Sequence, residues 1–151
     1  MKRSKIACYL DTSALLKLLV DEPGSVGVRA VAKKATVLLC SRMGHTEAAV
    51  SLSRMVHLGH LAAADLPRLL GNLDDFWDQS IQEIPLSETV LEQARNLAQR
   101  FPLRTYDAIH LASAREARLM LRSVFEGEIR FLAFDKALLD AARALGFTID
   151  L

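Results

Sequence analysis

Four acidic side chains stand where predicted strands give way to helices or where predicted helices begin: Asp11, Glu47, Asp107 and Asp135. Carboxylate oxygens are hard ligands that suit Mg²⁺ or Mn²⁺. Carboxylates held close together repel one another unless a cation neutralises them. A divalent ion among them would activate water and stabilise charge on a phosphate as its ester bond breaks. The four acids therefore predict a metal centre, with Asp11 and Asp107 as direct ligands and the other two bound through water or to a second ion.

Elements that bring such acids together can be read from the hydrophobic pattern. Apolar runs predict strands at 6–10, 36–40, 81–84, 129–134 and 147–149. Helical periodicity and capping residues predict helices over 14–20, up to 34, 43–58, 65–80, 87–101, 106–119 and 136–145. Strands that alternate with helices indicate an α/β fold with a mainly parallel sheet and right-handed crossovers.

The predicted topology favours one shared site for the four acids. Ligand sites in open α/β sheets lie beyond the carboxyl ends of the strands. Asp11 directly follows the first predicted strand, and Asp135 directly follows the strand predicted to end at residue 134. Each acid alone is also explained as a helix N-cap or as a favourable charge near a helix N-terminus. Four elements that end on the same side of a sheet nevertheless favour convergence.

Length and composition indicate a single soluble domain over residues 1–151. The net charge of +1 does not by itself indicate a nucleic-acid-binding protein. Cys8 and Cys40 lie in apolar runs, which predicts buried free thiols. The apolar run that follows the basic residues 1–5 breaks at Asp11, too early for a signal peptide or a membrane span. We therefore expect a cytoplasmic protein with no membrane partner.

The segments around the acids resemble the motifs of PIN-domain nucleases. In chain order these segments are YLDTSAL at 9–15, HTE at 45–47, RTYDAIHLA at 104–112, FDK at 134–136 and AARALG at 141–146. The similarity runs over essentially the whole chain, and the segment at 104–112 is the most specific. Single-domain members of this length resemble the toxins of VapBC-type toxin–antitoxin systems.

The resemblance implies a PIN-like three-layer α/β/α sandwich with Mg²⁺ as the cofactor, or Mn²⁺ in its place. It implies a Mg²⁺-dependent endoribonuclease, the toxin of a type II toxin–antitoxin system, that hydrolyses structured RNA (tRNA or ribosomal RNA) with a metal-activated water. The partners implied are the RNA substrate, a small cognate antitoxin and a second copy in a homodimer. The residues that match the family's catalytic, metal-binding acids are Asp11, Glu47, Asp107 and Asp135.

Three further residues bear on the metal site that the resemblance implies. Ser13 falls where the family often has a small polar residue, which holds a metal-bound water or caps the helix. His110 lies one helical turn after Asp107 and is expected either to orient that carboxylate or to have a structural role. Ala133 stands where many members have Thr or Ser, so the missing hydroxyl predicts a weaker second metal position.

Basic and apolar stripes on the predicted helices suggest binding surfaces or ordinary helix faces. Basic residues near the motifs and along one helix predict either a rim for RNA phosphates or solvated faces: Lys17, Arg42, Arg104, Lys136, Arg115, Arg118 and Arg122. The apolar stripe within 66–77 predicts core packing, with a groove for an antitoxin helix as the alternative.

Other functions account for parts of the pattern. A phosphatase of the haloacid dehalogenase type needs a second Asp where this chain has Ser13, and a phosphate-receiver domain needs paired acids after its first strand. Cleavage of DNA is a further alternative, because the metal chemistry does not need a 2′-hydroxyl. A non-catalytic PIN-like module that binds RNA or protein is the main alternative, although loss of acids would be its signature and all four are present.

Overall fold

The short apolar runs of the sequence form a parallel sheet in the computed structural model, which describes residues 5–151. Its strands are β1 (Lys5–Leu10), β2 (Val37–Ser41), β3 (Ile81–Ile84) and β4 (Gly127–Leu132). Their order across the sheet is β3-β2-β1-β4, and all three strand pairs are parallel. The carboxyl ends of the strands therefore lie along one edge of the sheet.

Helices connect the strands, and several of them begin at side-chain caps that the sequence supplies. They are α1 (Thr12–Leu19), α2 (Ser25–Lys34), α3 (Arg42–His57), α4 (Leu66–Ser80), α5 (Glu88–Arg100), α6 (Thr105–Leu121) and α7 (Lys136–Ala144). Side-chain oxygens of Asp11, Ser41, Ser87 and Asp135 accept backbone N–H groups at the starts of α1, α3, α5 and α7. These caps satisfy backbone donors that have no partner within the helix.

Alternation along β1 divides the core between the two faces of the sheet. Ala7 and Tyr9 point into a core formed with α5, α6 and α7, whereas Cys8 and Leu10 point into a second core formed with α1 to α4. Both faces are covered, as expected for a parallel sheet with nearly continuous apolar strands. The predicted three-layer α/β/α fold is confirmed, and Cys8 and Cys40 are buried free thiols, as predicted.

The apolar stripe of α4 packs into the second core. Leu69, Leu73 and Trp77 are buried there, and Trp77 donates its indole N–H to Glu83 at 3.1 Å. The core-packing interpretation of this stripe is thus confirmed. Among residues 5–151, no helix is both long and apolar enough to span a bilayer.

Two strand predictions near the carboxyl terminus differ from the structure. The strand predicted at 129–134 is Gly127–Leu132, because its pairing with β1 ends where Leu10 meets Leu132. Asp135 therefore follows β4 after two intervening residues. The strand predicted at 147–149 is wrong: Thr148 forms an isolated parallel bridge with Arg130, and no ladder develops from it.

A close approach between β2 and α3 gives a stability test. A Cβ atom on Gly44 would lie 2.4 Å from the Cys40 sulfur. We expect Gly44→Ala to lower the free energy of unfolding by about 1–3 kcal/mol, since an extra methyl group would overpack this contact. Urea unfolding measured by circular dichroism would report the change.

The matched control is Gly71→Ala in the middle of α4, where a Cβ would meet nothing within 4 Å. That substitution should leave stability unchanged or raise it by up to about 1 kcal/mol, because alanine favours helix more than glycine does. Gly44→Ala should also cost less in a Cys40→Ala background. Equal stability of Gly44→Ala and the wild-type protein would contradict the proposed packing.

Candidate active site

The four predicted acids all lie at the carboxyl edge of the sheet. Asp11 follows β1, and Glu47 is in the second turn of α3, the helix that follows β2. Asp107 is in the first turn of α6, and Asp135 caps α7 after β4. A cavity of about 490 Å³ opens here. It is lined by Glu47 and by the start of α6, from Arg104 to Asp107. A larger cavity, of about 600 Å³, lies near the amino end of β4, and none of the four acids lines it.

Asp11 is the most buried of the four acids, with 6% of its surface exposed. Its Oδ1 atom accepts hydrogen bonds from the Ser13 hydroxyl at 2.7 Å and from the Ala14 N–H at 2.9 Å. Burial raises the pKa of Asp11. The Ala14 N–H, His110 and Ser13 lower this pKa, and the negative charge of Asp107 raises it. Because burial has the largest effect, the ionised form of Asp11 would gain from a nearby cation.

Glu47 is held from behind by a buried hydrogen-bond network. Its Oε1 atom lies 2.9 Å from Nε2 of His110 and accepts the Thr12 hydroxyl at 3.0 Å. On the other side of the imidazole, Nδ1 lies 2.9 Å from the hydroxyl of Tyr9. The Tyr9 oxygen in turn accepts the Ser41 N–H at 3.2 Å. These contacts connect β1, β2 and three helices through one histidine.

The partners of His110 determine which nitrogen carries its proton. An ionised carboxylate only accepts, so Nε2–H donates to Glu47. The Nδ1 atom and the Tyr9 hydroxyl share the second hydrogen bond of the ring, and the backbone N–H of Ser41 donates to the Tyr9 oxygen. His110 therefore supports Glu47, whereas its position in the sequence suggested Asp107.

Arg104 contacts two of the acids. Its Nε donates to Oδ2 of Asp107 at 2.9 Å, and its Nη2 lies 3.8 Å from Oδ2 of Asp135. The hydrogen bond to Asp107 and the charges of Asp107, Asp135 and Glu47 raise the pKa of the Arg104 guanidinium. Two of the acids therefore contact one guanidinium, and the charge of Glu47 acts on it from farther away.

The other basic residues near the motifs are engaged with acids outside the predicted centre. Ion pairs at 2.7–2.8 Å join Lys17 to Glu22, Arg42 to Glu83 and Lys136 to Asp140. The Lys17 ammonium also lies 4.3 Å from the centre of the Phe134 ring, beside Asp135 in the chain. Arg118 lies near the other end of α6, where it donates to the Leu145 carbonyl.

The arrangement of oxygens bears on whether a metal ion suits this edge. Within residues 5–151, no three His, Cys, Asp or Glu side chains converge closely enough to form a ready ligand set. Asp11, Glu47 and Asp135 are nevertheless each fixed through one oxygen, and Asp107 is paired with the exposed Arg104 guanidinium. The other oxygen of each acid accepts no hydrogen bond from residues 5–151, and four such hard donors fit Mg²⁺ or Mn²⁺ chemically. The metal-binding role of these residues stays a prediction.

Two residues of the network, Tyr9 and Thr12, are not predicted from the sequence as site residues, because they lie within the first motif but carry no charge. The available signal was a hydroxyl-bearing Tyr9 inside an otherwise apolar strand, because a buried phenol needs a hydrogen-bond partner. Ala133 is buried in the first core and offers no hydroxyl beside Asp135.

Comparisons with known proteins agree with this architecture. Residues 8–144 match the PIN domain family. Ribonuclease VapC45 of Mycobacterium tuberculosis is 34% identical over 106 residues, covering 70% of this chain and 73% of that protein. Ribonuclease VapC46 of Mycobacterium tuberculosis is 31% identical over 143 residues, covering 95% of each protein.

A solved structure described as a toxin–antitoxin complex from Klebsiella pneumoniae shares the fold, with a TM-score of 0.59 and 18% identity over 86% of this chain and 88% of that one. Residues 8–144, which match the PIN domain family, contain all four acids and the network behind Glu47. The chain therefore belongs to the PIN-domain family, in the group of the VapC proteins.

Proposed function

We propose that this protein is a Mg²⁺-dependent endoribonuclease and the toxin of a type II toxin–antitoxin system. The observation that carries the proposal is the set of four acids at one edge of a parallel sheet, where Asp11, Glu47 and Asp135 are held through one oxygen and Asp107 is paired only with an exposed guanidinium. The ribonuclease names of the relatives that are more than 30% identical support the activity.

The chain's own residues would divide the work of the centre. Asp11 and Asp107 would hold the ion directly, and Glu47 and Asp135 would bind it through water. Bound Mg²⁺ would supply an activated water and would offset negative charge on the phosphate. Ser13 and the Ala14 N–H fix the orientation of Asp11. His110 and Thr12 fix the orientation of Glu47 in the same way.

The surface around the acids favours structured RNA, such as tRNA or ribosomal RNA, as the substrate. The cavity is lined by Arg104, Thr105 and Tyr106 beside the acids, which gives a cation, a hydroxyl and one aromatic ring. A single aromatic ring in the cavity lining, that of Tyr106, does not form a platform on which several bases could stack. Recognition would then depend on the shape and the backbone of a folded RNA.

The expected partners are a small antitoxin and a second copy of this chain, in the cytoplasm. The toxin–antitoxin complex that shares the fold supports the first partner. Exposed apolar side chains on several helices, among them Val26, Val50 and Leu91, give apolar surface to either interface.

Cleavage of RNA by purified, antitoxin-free protein tests the activity. Total cellular RNA would be incubated with the wild-type protein and Mg²⁺, and discrete cleavage products are expected. Asp107→Asn should reduce the rate by about 100-fold or more, since loss of one metal-bound carboxylate weakens both ion binding and charge stabilisation. EDTA should abolish cleavage by the wild-type protein.

The matched control is Asp75→Asn on the exposed side of α4, which changes the same functional group away from the four acids. This variant should cleave at the wild-type rate. If folded wild-type protein with bound Mg²⁺ cleaves neither tRNA nor ribosomal RNA, the nuclease proposal is wrong, and the binding-module alternative gains support.

The network behind Glu47 gives a second test. We expect His110→Ala to lower the cleavage rate by about 10- to 100-fold, because residues that orient a metal ligand contribute on that scale. Tyr9→Phe should have a smaller effect in the same direction, since it removes the two hydrogen bonds of the Tyr9 hydroxyl, with His110 and with the Ser41 N–H, and keeps the ring stacked on Phe131. Rates would be measured under single-turnover conditions.

His45→Ala is the control, because His45 is on the same helix as Glu47 but bonds to Asp74. It should retain the wild-type rate. Urea unfolding of each variant separates positioning from stability. A His110→Ala protein that is folded and fully active would show that Glu47 does not need this partner.

A further inference from the structure

Arg104 combines a backbone position at the start of a helix with an exposed side chain. Its backbone is the N-cap residue of α6, so the position of its Cα follows from the start of that helix. Its side chain is 78% exposed, and the guanidinium bridges Asp107 and Asp135 from the solvent side. Asp107 and Asp135 are 14% and 40% exposed, but the guanidinium itself faces solvent, so water and salt weaken both ion pairs and other partners can replace them.

The carboxylates that Arg104 contacts are the ones that the proposed function assigns to the divalent ion. The guanidinium bonds to Oδ2 of Asp107 and lies near Oδ2 of Asp135, the oxygen of Asp135 that its capping role leaves available. A guanidinium and a divalent cation on the same carboxylates would repel each other at close range. Binding of the guanidinium to these oxygens therefore disfavours binding of the divalent ion, and the reverse also holds.

We propose that Arg104 competes with the divalent ion for Asp107 and Asp135 and thereby sets the metal affinity of the centre. This inference rests on the proposed function. In the metal-free protein the guanidinium neutralises two acids that would otherwise repel each other. Metal binding breaks that contact. The apparent affinity for the ion is therefore the intrinsic affinity multiplied by the fraction of protein in which Arg104 does not contact the carboxylates.

The displaced guanidinium can move into the adjacent cavity. The cavity beside it is lined by Arg104, Glu47 and Asp107 and has a volume of about 490 Å³. The planar guanidinium can bind two oxygens of a phosphate at once. Metal loading would thus turn Arg104 from a partner of the acids into a phosphate ligand at the mouth of the same cavity.

Titration of Mn²⁺ by isothermal calorimetry, without RNA, tests the competition. Arg104→Gln should bind Mn²⁺ about three- to tenfold more tightly than the wild-type protein, the range expected for loss of an exposed ion pair that must break on binding. Arg104→Lys keeps the charge but loses the planar fork, and its affinity should fall between the two.

Lys136→Gln is the matched control. It also removes one positive charge, next to Asp135 in the chain, but Lys136 pairs with Asp140 and not with the four acids. Its Mn²⁺ affinity should stay within about twofold of the wild-type value, since solvent and salt screen an exposed charge that is not in contact with the ligands.

A spectroscopic signal distinguishes displacement from a general charge effect. The Nε–H resonance of Arg104 should shift on addition of Mg²⁺ as its hydrogen bond to Asp107 breaks, whereas an arginine outside the centre, Arg95, should be unaffected. A wild-type protein that binds neither ion would overturn the metal-dependent function as well as this inference. Metal binding that is unchanged or weaker in Arg104→Gln, or an unchanged Arg104 resonance, would overturn the competition alone.

Discussion

The hydrogen bond between His110 and Glu47 is the contact on which the geometry of the candidate site depends. His110 belongs to α6, which packs on one face of the sheet, and Glu47 belongs to α3, which packs on the other. Their contact at 2.9 Å joins the two helical layers beyond the carboxyl ends of the strands. Tyr9 connects this contact to the sheet itself, because its ring is fully buried and stacked on Phe131. The position of Glu47 is therefore determined by packing in all three layers.

The acids show how one side chain can serve both the fold and the chemistry. Asp11 and Asp135 each use Oδ1 to cap a helix, which stabilises the local structure by about 1 kcal/mol per cap. The same hydrogen bonds fix the rotamer and leave Oδ2 available at the edge of the sheet. The capping and metal-binding interpretations of these acids, which are alternatives when only the sequence is considered, are therefore compatible. A cap is a means of orienting a carboxylate that has a second task.

Much of the architecture could be predicted from local sequence patterns, because apolar periodicity and capping residues act over a few residues. The four strands of the sheet and the starts of α1, α5 and α7 follow from such signals. The segment around Thr148 misled the prediction, since a short apolar run beside a glycine does not reveal whether a ladder will extend beyond one bridge. The partners of His110 and Arg104 could not be predicted either. Helical spacing placed His110 near Asp107, but its contact with Glu47 depends on how α3 and α6 approach each other across the sheet.

That approach requires small residues where the elements meet. Gly44 leaves room for the Cys40 sulfur and lies near the imidazole of His110, and Ala108 and Ala112 bring α6 close to the sheet. These contacts are apolar and cover both faces of the sheet, and a chain of this size buries enough surface that we expect it to fold without a cation. Repulsion among the acids is then confined to one edge, where Asp11 is buried and Arg104 supplies a positive charge. A well-packed core can tolerate this local repulsion among the carboxylates. The repulsion is also the reason that a divalent ion would bind at this edge.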